Sequence, residues 1–215
     1  SIRRQRQMCI RDSPWAVLAL AAQQTRTIKI GTGVAVAGLR LAPVTANAIA
    51  TINRIAPGRT FLGIGTGNTA MRAMGQAPMG VKAFGDYIRV VQGLLKGDEV
   101  EYTLNGVTHP IQFQNQEFKY IDVENHIPVH VGGFGPRAQA LAGEIGDGLI
   151  TGIPRGGTIP QAMNNVREGA KKSSRSLDNF ETFGLVNILM LKPKEKLTDE
   201  NVVMQCLSLI HISEP

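Results

Sequence analysis

Hydrophobic positions in this chain switch between a two-residue and a helical period. Within residues 27–37, Ile28, Ile30, Val34 and Val36 are apolar at every second place around a Gly31-Thr32-Gly33 break, which predicts a strand. Residues 43–55 carry Val44, Ala48, Ile49, Ile52 and Ile55 at helical spacing, with Pro43 in the first turn, and predict a helix. A short apolar run at 60–65 predicts a second strand, ending in Gly65-Thr66-Gly67-Asn68. The rhythm continues with a helix at 84–95, a strand at 127–131, a helix at 136–144 stopped by Gly146, and a short strand at 149–151. A helix at 159–172 and a strand at 180–191 follow. An Ala/Leu-rich helix at 14–24 opens the series, and Thr198 is placed to cap a last one. Only residues 99–122 break the pattern: their β-type alternation around Asn105-Gly106 predicts an inserted hairpin.

Regular strand–helix alternation means an α/β fold with a parallel sheet and outer helices. Composition agrees. At 215 residues, with 43% apolar and 19% charged residues, the chain suits one globular domain. No apolar run approaches the ~18 residues of a membrane span, so no membrane partner is expected. The formal charge of +6 invites an acidic partner. The ends change that picture. Met8 to Ser13 and Leu207 to Ile212 can be translated from one short oligonucleotide read in opposite orientations, and it resembles a sequencing-library adapter. Residues 1–13 and 207–215 are therefore expected to be adapter-derived tails, with the fold confined to 14–206. Four arginines, two acids and Cys9 fall in those tails, which leaves an ordinary surplus of +4 and no expectation of nucleic acid. Cys206 then stands alone, so no disulfide can form, which suits a reducing cytoplasm.

In parallel α/β folds, ligands meet the C-terminal ends of the strands. Three predicted strands end there in glycine-rich turns, at Gly31-Thr32-Gly33, Gly65-Thr66-Gly67 and Gly132-Gly133-Phe134-Gly135. Without a Cβ, the backbone there can approach a flat or anionic ligand closely. Gly133-Phe134-Gly135-Pro136-Arg137-Ala138 matches Gly-x-Gly-x-x-Ala between strand and helix, and a helix N-terminus there offers free amides to a phosphate. A dinucleotide fold would also need an acid at the end of the next strand, where Ile150-Thr151-Gly152 has none. Asn68, Arg72 and Arg155 follow strands at the same edge and could reach a ligand. Arg59 precedes a strand and reads as structural, as do Glu144 and Asp147 beside a turn. His130 reads as a hydrogen-bonded core histidine more readily than as a site residue. The histidines give no metal-binding spacing, and no Gly-x-Ser-x-Gly elbow supplies a nucleophile.

Four segments together resemble the luciferase-like monooxygenase family. They are Ile28-Lys29-Ile30-Gly31-Thr32-Gly33-Val34, the helix at 43–55, the 57–67 run Pro-Gly-Arg-Thr-Phe-Leu-Gly-Ile-Gly-Thr-Gly, and Val131 to Pro136 followed by Ala142-Gly143-Glu144-Ile145-Gly146-Asp147-Gly148-Leu149-Ile150. The resemblance implies a TIM barrel, (β/α)8, of the bacterial luciferase-like type, here incomplete with about five of eight strands and the 99–122 insertion. It implies a flavin-dependent oxidoreductase using FMN or a deazaflavin, coenzyme F420, on a small organic substrate. Either oxygen insertion or hydride transfer would fit. A non-prolyl cis peptide is implied at Gly33-Val34, behind the ring. Thr66, Gly67 and Asn68 would line the ring. The amides of Phe134 and Gly135 would meet the cofactor's phosphate, with Gly133 beside them in the cofactor-binding loop, and Arg155 would face substrate or phosphate. In the family's sugar-phosphate dehydrogenases an acid stands where this chain has Asn68. No catalytic acid or base is assigned, and the complete protein is expected to pair as a homodimer. The competing readings are a Rossmann-type NAD(P)-binding dehydrogenase and a non-catalytic module that binds a phosphate ligand.

Overall fold

The computed structural model describes residues 13–152, 158–185, 190–193 and 195–204. Five strands form one parallel sheet: β1 (Ile30–Val36), β2 (Thr60–Gly65), β5 (Val129–Gly132), β6 (Gly148–Gly152) and β7 (Glu181–Leu185). Their order in space is β1-β2-β5-β6-β7, the order of the sequence. The helix α1 (Pro14–Gln24) precedes β1, and α2 (Ala42–Ile55), α4 (Val81–Leu95), α5 (Pro136–Ile145) and α6 (Ile159–Lys172) run between the strands. A short α3 (Asn68–Ala73) follows β2.

Strand periodicity assigns the two faces. Leu62, Ile64, Val129, Val131 and Leu149 are buried in one cluster with Ile49, Phe84, Ile88, Val91 and Leu94 of the helices. The alternate residues, Phe61, Gly63, Gly65, His130, Gly132, Gly148, Ile150 and Gly152, form the other, concave face. Sequential order with helices on one face is the winding of a barrel wall. A doubly wound dinucleotide fold reverses its strand order and covers both faces, so the Rossmann alternative is ruled out. The sheet is a curled half-barrel of five strands, as the resemblance implied.

Several expectations shift in detail. β1 begins at Ile30, and Ile28 is 54% exposed, because its side chain precedes the pairing of Ile30 with Thr60. On α2 the buried stripe runs through Thr45, Ala46, Ile49, Ala50, Ile52 and Asn53, which leaves Val44 and Ile55 exposed. Residues 200–204 are helical with Val203 N–H bonded to the Asp199 carbonyl, so Asp199 and not Thr198 stands at the cap. The expected hairpin is present as β3 (Val100–Leu104) and β4 (Val107–Ile111), turning at Asn105 and Gly106 with φ of 53° and 81°.

Polar contacts anchor the elements at the lower, N-terminal side of the sheet. Arg59 donates to the carbonyls of Ala22, Thr25 and Ile28 and to Thr25 Oγ1, which ties the end of α1 to β2 and bears out a structural role. Asn53, fully buried, accepts from Thr60 Oγ1 at 2.6 Å and donates to the Asp122 and Asn125 carbonyls, which docks the returning insertion on α2. Asp147 Oδ2 accepts from the Val129 N–H at 2.9 Å, so it fixes its turn, while Glu144 pairs with Arg89 at 2.6 Å. The α5 and α6 backbones touch through Gly143 and Gly169, where a Cβ would fall on the Val166 and Ala140 carbonyls.

Candidate functional site

The C-terminal edge of the concave face is nearly bare of side chains. Gly65, Gly132 and Gly152 end β2, β5 and β6 on that face. Val34 supplies the floor between them: a Cβ on Gly65 would lie 3.0 Å from Val34 Cγ2, and one on Gly132 would lie 3.1 Å from Cγ1. Val34 reaches this position because the β1–β2 register slips between Thr32 and Ala35. The Gly33-Val34 peptide is cis, as expected. Gly33 itself is exposed, and a Cβ on it would meet nothing within 4 Å. An apolar floor set among glycines leaves a flat open surface, which fits a planar ring.

Thr66, Gly67 and Asn68 border this surface at the end of β2. The Thr66 carbonyl accepts from Met79 N–H at 3.2 Å, which holds the loop before α4 against the edge. Gly67 has φ of 79°, a left-handed conformation that favours glycine, and it touches Val36 and Met71. Asn68 is exposed, and its Oδ1 accepts from Arg72 Nε at 3.0 Å, so these two candidates engage each other.

On the other side lies the turn from β5 into α5. Gly133 is buried, and a Cβ there would come within 3.0 Å of Ala138 Cβ, so the Gly-x-Gly-x-x-Ala spacing serves close packing of strand on helix. Gly135 is the N-cap of α5, Pro136 fills its first position, and a Cβ on Gly135 would meet nothing within 4 Å. Among the described residues the N–H groups of Phe134 and Gly135 have no bonded partner. Free amides at a helix N-terminus suit a phosphate. The Phe134 ring is 60% exposed and rests on Gly152, where a Cβ would lie 2.9 Å from its Cε1. Arg155 lies outside the described residues. The structure therefore gathers Gly33, Val34, Thr66, Gly67, Asn68, Phe134 and Gly135 along one edge, with Gly133 packed beneath it.

Two members were not picked out by the sequence reading. Gly152 carries the same signal as the other strand-terminal glycines, but its short strand hides it. Gln139 stands in the buried stripe of α5 at 2% exposure, donates to the Phe134 carbonyl at 3.2 Å, and accepts from Asn165 of α6 at 2.7 Å. A polar residue at an apolar place in the helical period was the signal available for it.

Deeper in the concave face, His130 stacks between Phe61 and Phe183, with ring centroids 5.2 and 4.8 Å away. It is 1% exposed, and neither ring nitrogen has a hydrogen-bond partner among the described residues, although Nε2 lies 3.1 Å from Glu181 Oε2. The expectation of a satisfied core histidine holds for burial but not for hydrogen-bond geometry: the neutral ring is held chiefly by aromatic contact, with Glu181 at its Nε2 edge. Burial pushes its pKa down, against the opposing pull of Glu181 and Asp147. Tyr87 is pushed up to about 12 by burial, despite its hydrogen bond with Thr45 at 2.6 Å. A cavity of about 990 Å³ between α4, β3 and the β1–α2 connection is lined by none of the edge residues. No cluster of metal ligands and no helix long and apolar enough to cross a membrane occurs among the described residues.

Comparison with known proteins agrees with this geometry. A family model described as luciferase-like monooxygenase matches residues 4–206. The chain is 30% identical over 186 residues to 5,10-methylenetetrahydromethanopterin reductase of Archaeoglobus fulgidus, covering 85% of this chain and 54% of that protein. It is 32% identical over 180 residues to F420-dependent glucose-6-phosphate dehydrogenase of Beutenbergia cavernae, covering 78% of this chain and 50% of that one. The solved coenzyme F420 dependent tetrahydromethanopterin reductase of Methanopyrus kandleri superposes with a TM-score of 0.66 at 28% identity, over 80% of this chain and 54% of that chain. The chain thus spans about half the length of the curated relatives it matches. With its strands in barrel order, its bare glycine edge and a match along nearly its whole length, the chain belongs to the luciferase-like monooxygenase family.

Proposed function

We propose that the protein containing this chain is an oxidoreductase that passes a hydride between a small organic substrate and a deazaflavin of the coenzyme F420 type. The observation that carries this reading is the edge itself: an apolar Val34 floor among glycines, beside the Phe134 and Gly135 amides, which have no bonded partner among the described residues. A planar ring fits the first and a phosphate fits the second. The bound coenzyme would supply the redox chemistry. The chain's own part would be to support one ring face with Val34, to border the ring with Thr66, Gly67 and Asn68, and to hold the phosphate with main-chain N–H groups. Phe134, standing exposed on Gly152, would help keep water from that side. Arg155 remains a candidate for substrate or phosphate.

Deazaflavin is favoured over FMN because two of the similar proteins above carry F420 in their names, one of them at 32% identity. Asn68 bears on the substrate. It is an amide, paired with Arg72, where the family's sugar-phosphate dehydrogenases are expected to hold an acid, so this position supplies no carboxylate for proton transfer. A substrate other than a sugar phosphate follows, and the proposed assembly is a homodimer. The test is turnover by the full-length protein, anaerobically with F420 and alcohols or glucose 6-phosphate as hydride donors or with reduced F420 and imines as hydride acceptors, and separately with reduced FMN and oxygen. Reduction of F420, or oxidation of its reduced form by an imine, without oxygen supports the reading. Activity only with reduced FMN and oxygen would replace it with monooxygenation, and binding without any turnover would favour the non-catalytic module.

A further inference from the structure

Burying a glutamine is costly unless its amide is satisfied, so a glutamine that is 2% exposed needs a reason. Both ends of the Gln139 amide are engaged: Nε2 donates to the Phe134 carbonyl at 3.2 Å, and Oε1 accepts from Asn165 Nδ2 at 2.7 Å. Its backbone N–H also donates to the Gly135 carbonyl at 3.0 Å. The loop between β5 and α5 is thereby tied to two helices.

The consequence follows from peptide geometry. The Phe134 carbonyl and the Gly135 N–H belong to one planar unit, and this peptide is not the cis one. In a trans peptide those two groups point in opposite directions. A carbonyl held inward by Gln139 therefore turns the Gly135 N–H outward, toward the side where a Cβ on Gly135 would meet nothing within 4 Å. Released from Gln139, the same peptide can rotate and present its carbonyl oxygen there instead, which repels an anion.

We propose that Gln139 is a positioning residue for phosphate: by clamping the Phe134 carbonyl, with Asn165 behind it, it aims the Gly135 N–H at the cofactor's phosphate. This rests on the function proposed above. The role is specific in its effect, because a turned peptide penalises the charged group and leaves the ring's contacts with Val34 untouched.

The test compares two probes that differ only in the phosphate, 5-deazariboflavin 5′-phosphate and 5-deazariboflavin, titrated by fluorescence into the full-length protein and its Gln139→Leu, Gln139→Glu and Asn165→Ala variants. The wild type is expected to prefer the phosphate ester, and Gln139→Leu to lose about tenfold of that preference with affinity for the unphosphorylated ring unchanged. Gln139→Glu offers a carboxyl that burial keeps protonated and donating near neutral pH, so its preference is expected to be near that of the wild type at neutral pH and to fall in mild alkali, where the carboxyl ionises and sets an acceptor against the carbonyl. Asn165→Ala, outside the loop, gives a smaller loss of the same kind. Equal weakening of both probes in the variants, or a preference that survives in all three, overturns the inference while leaving the proposed function standing. A folded wild type that binds both probes alike, or neither, removes the phosphate from this loop and overturns both. If Gln139→Leu does not fold, Gln139→Glu and its pH dependence decide the matter.

Discussion

At the scale of single residues, the edge is defined by what is missing. Gly132→Val adds a side chain that presses on Val34 Cγ1 at 3.1 Å and on the Ile64 carbonyl at 3.2 Å. It is expected to cost about 1–3 kcal/mol and to displace the floor, with thermal melting as the measure of the first effect and ring affinity of the second. His130 gives a pH prediction. Its folded pKa lies below the unfolded value of 6.5 because the imidazole is buried, so the unfolded chain binds the proton more readily. Its contribution to stability is full above 6.5 and is lost as pH falls through the folded value. Denaturant melts on an acid series are expected to show that loss, and His130→Phe, which keeps the stack with Phe61 and Phe183, to flatten it. A midpoint that is level between neutral and mildly acid pH in the wild type would contradict this. The residue scale was also the hardest to read in advance. Glycine positions announce themselves in a sequence, so Gly65, Gly67, Gly132, Gly133 and Gly135 were visible as an edge. Gln139 was not, because its role depends on a carbonyl five residues back and on Asn165, 26 residues ahead.

Elements were legible where burial repeats and less so where contacts are singular. The 2.0 and 3.6 periods place nearly every strand and helix, since half-buried elements must repeat their apolar positions. The short α3 escaped because six residues with none buried leave no periodic trace. The displaced stripe on α2 escaped for another reason: its inner face uses Thr45, Ala46 and Asn53, small or polar groups that a hydrophobic count passes over. Those singular contacts make strong tests. Arg59→Ala removes four hydrogen bonds that join the end of α1 and the segment after it to β2, and is expected to cost about 1–3 kcal/mol. Gly169→Ala forces apart the α5 and α6 backbones at the Ala140 carbonyl and is expected to cost at least as much, since neither helix can yield without moving its strand. Chemical denaturation of each variant checks both. The Gly169 change is also expected to weaken phosphate binding, because α5 carries the loop that ends at Gly135.

For the whole molecule, strand order decides between otherwise similar readings. The sequence shows alternating strands and helices, which fits both a barrel and a doubly wound sheet. It shows no direct sign of which strands are neighbours. The order β1-β2-β5-β6-β7, with the helices packed on one face, selects the barrel wall. That choice moves the ligand from a crevice at a reversal of strand order to the concave edge between Val34 and Gly135. The central claim is that this edge holds a ring and its phosphate together. The most direct test is fluorescence titration of coenzyme F420 into the full-length protein and into its Gly135→Leu variant. Gly135 has φ of −100° and open space beyond its Cα, so the leucine is expected to fold without strain and to occupy the phosphate position. Saturable binding by the wild type, weakened about tenfold or more in Gly135→Leu at unchanged melting temperature, is the expected result. Equal affinity in the two proteins, or no binding by a folded wild type, would contradict the assignment of this edge.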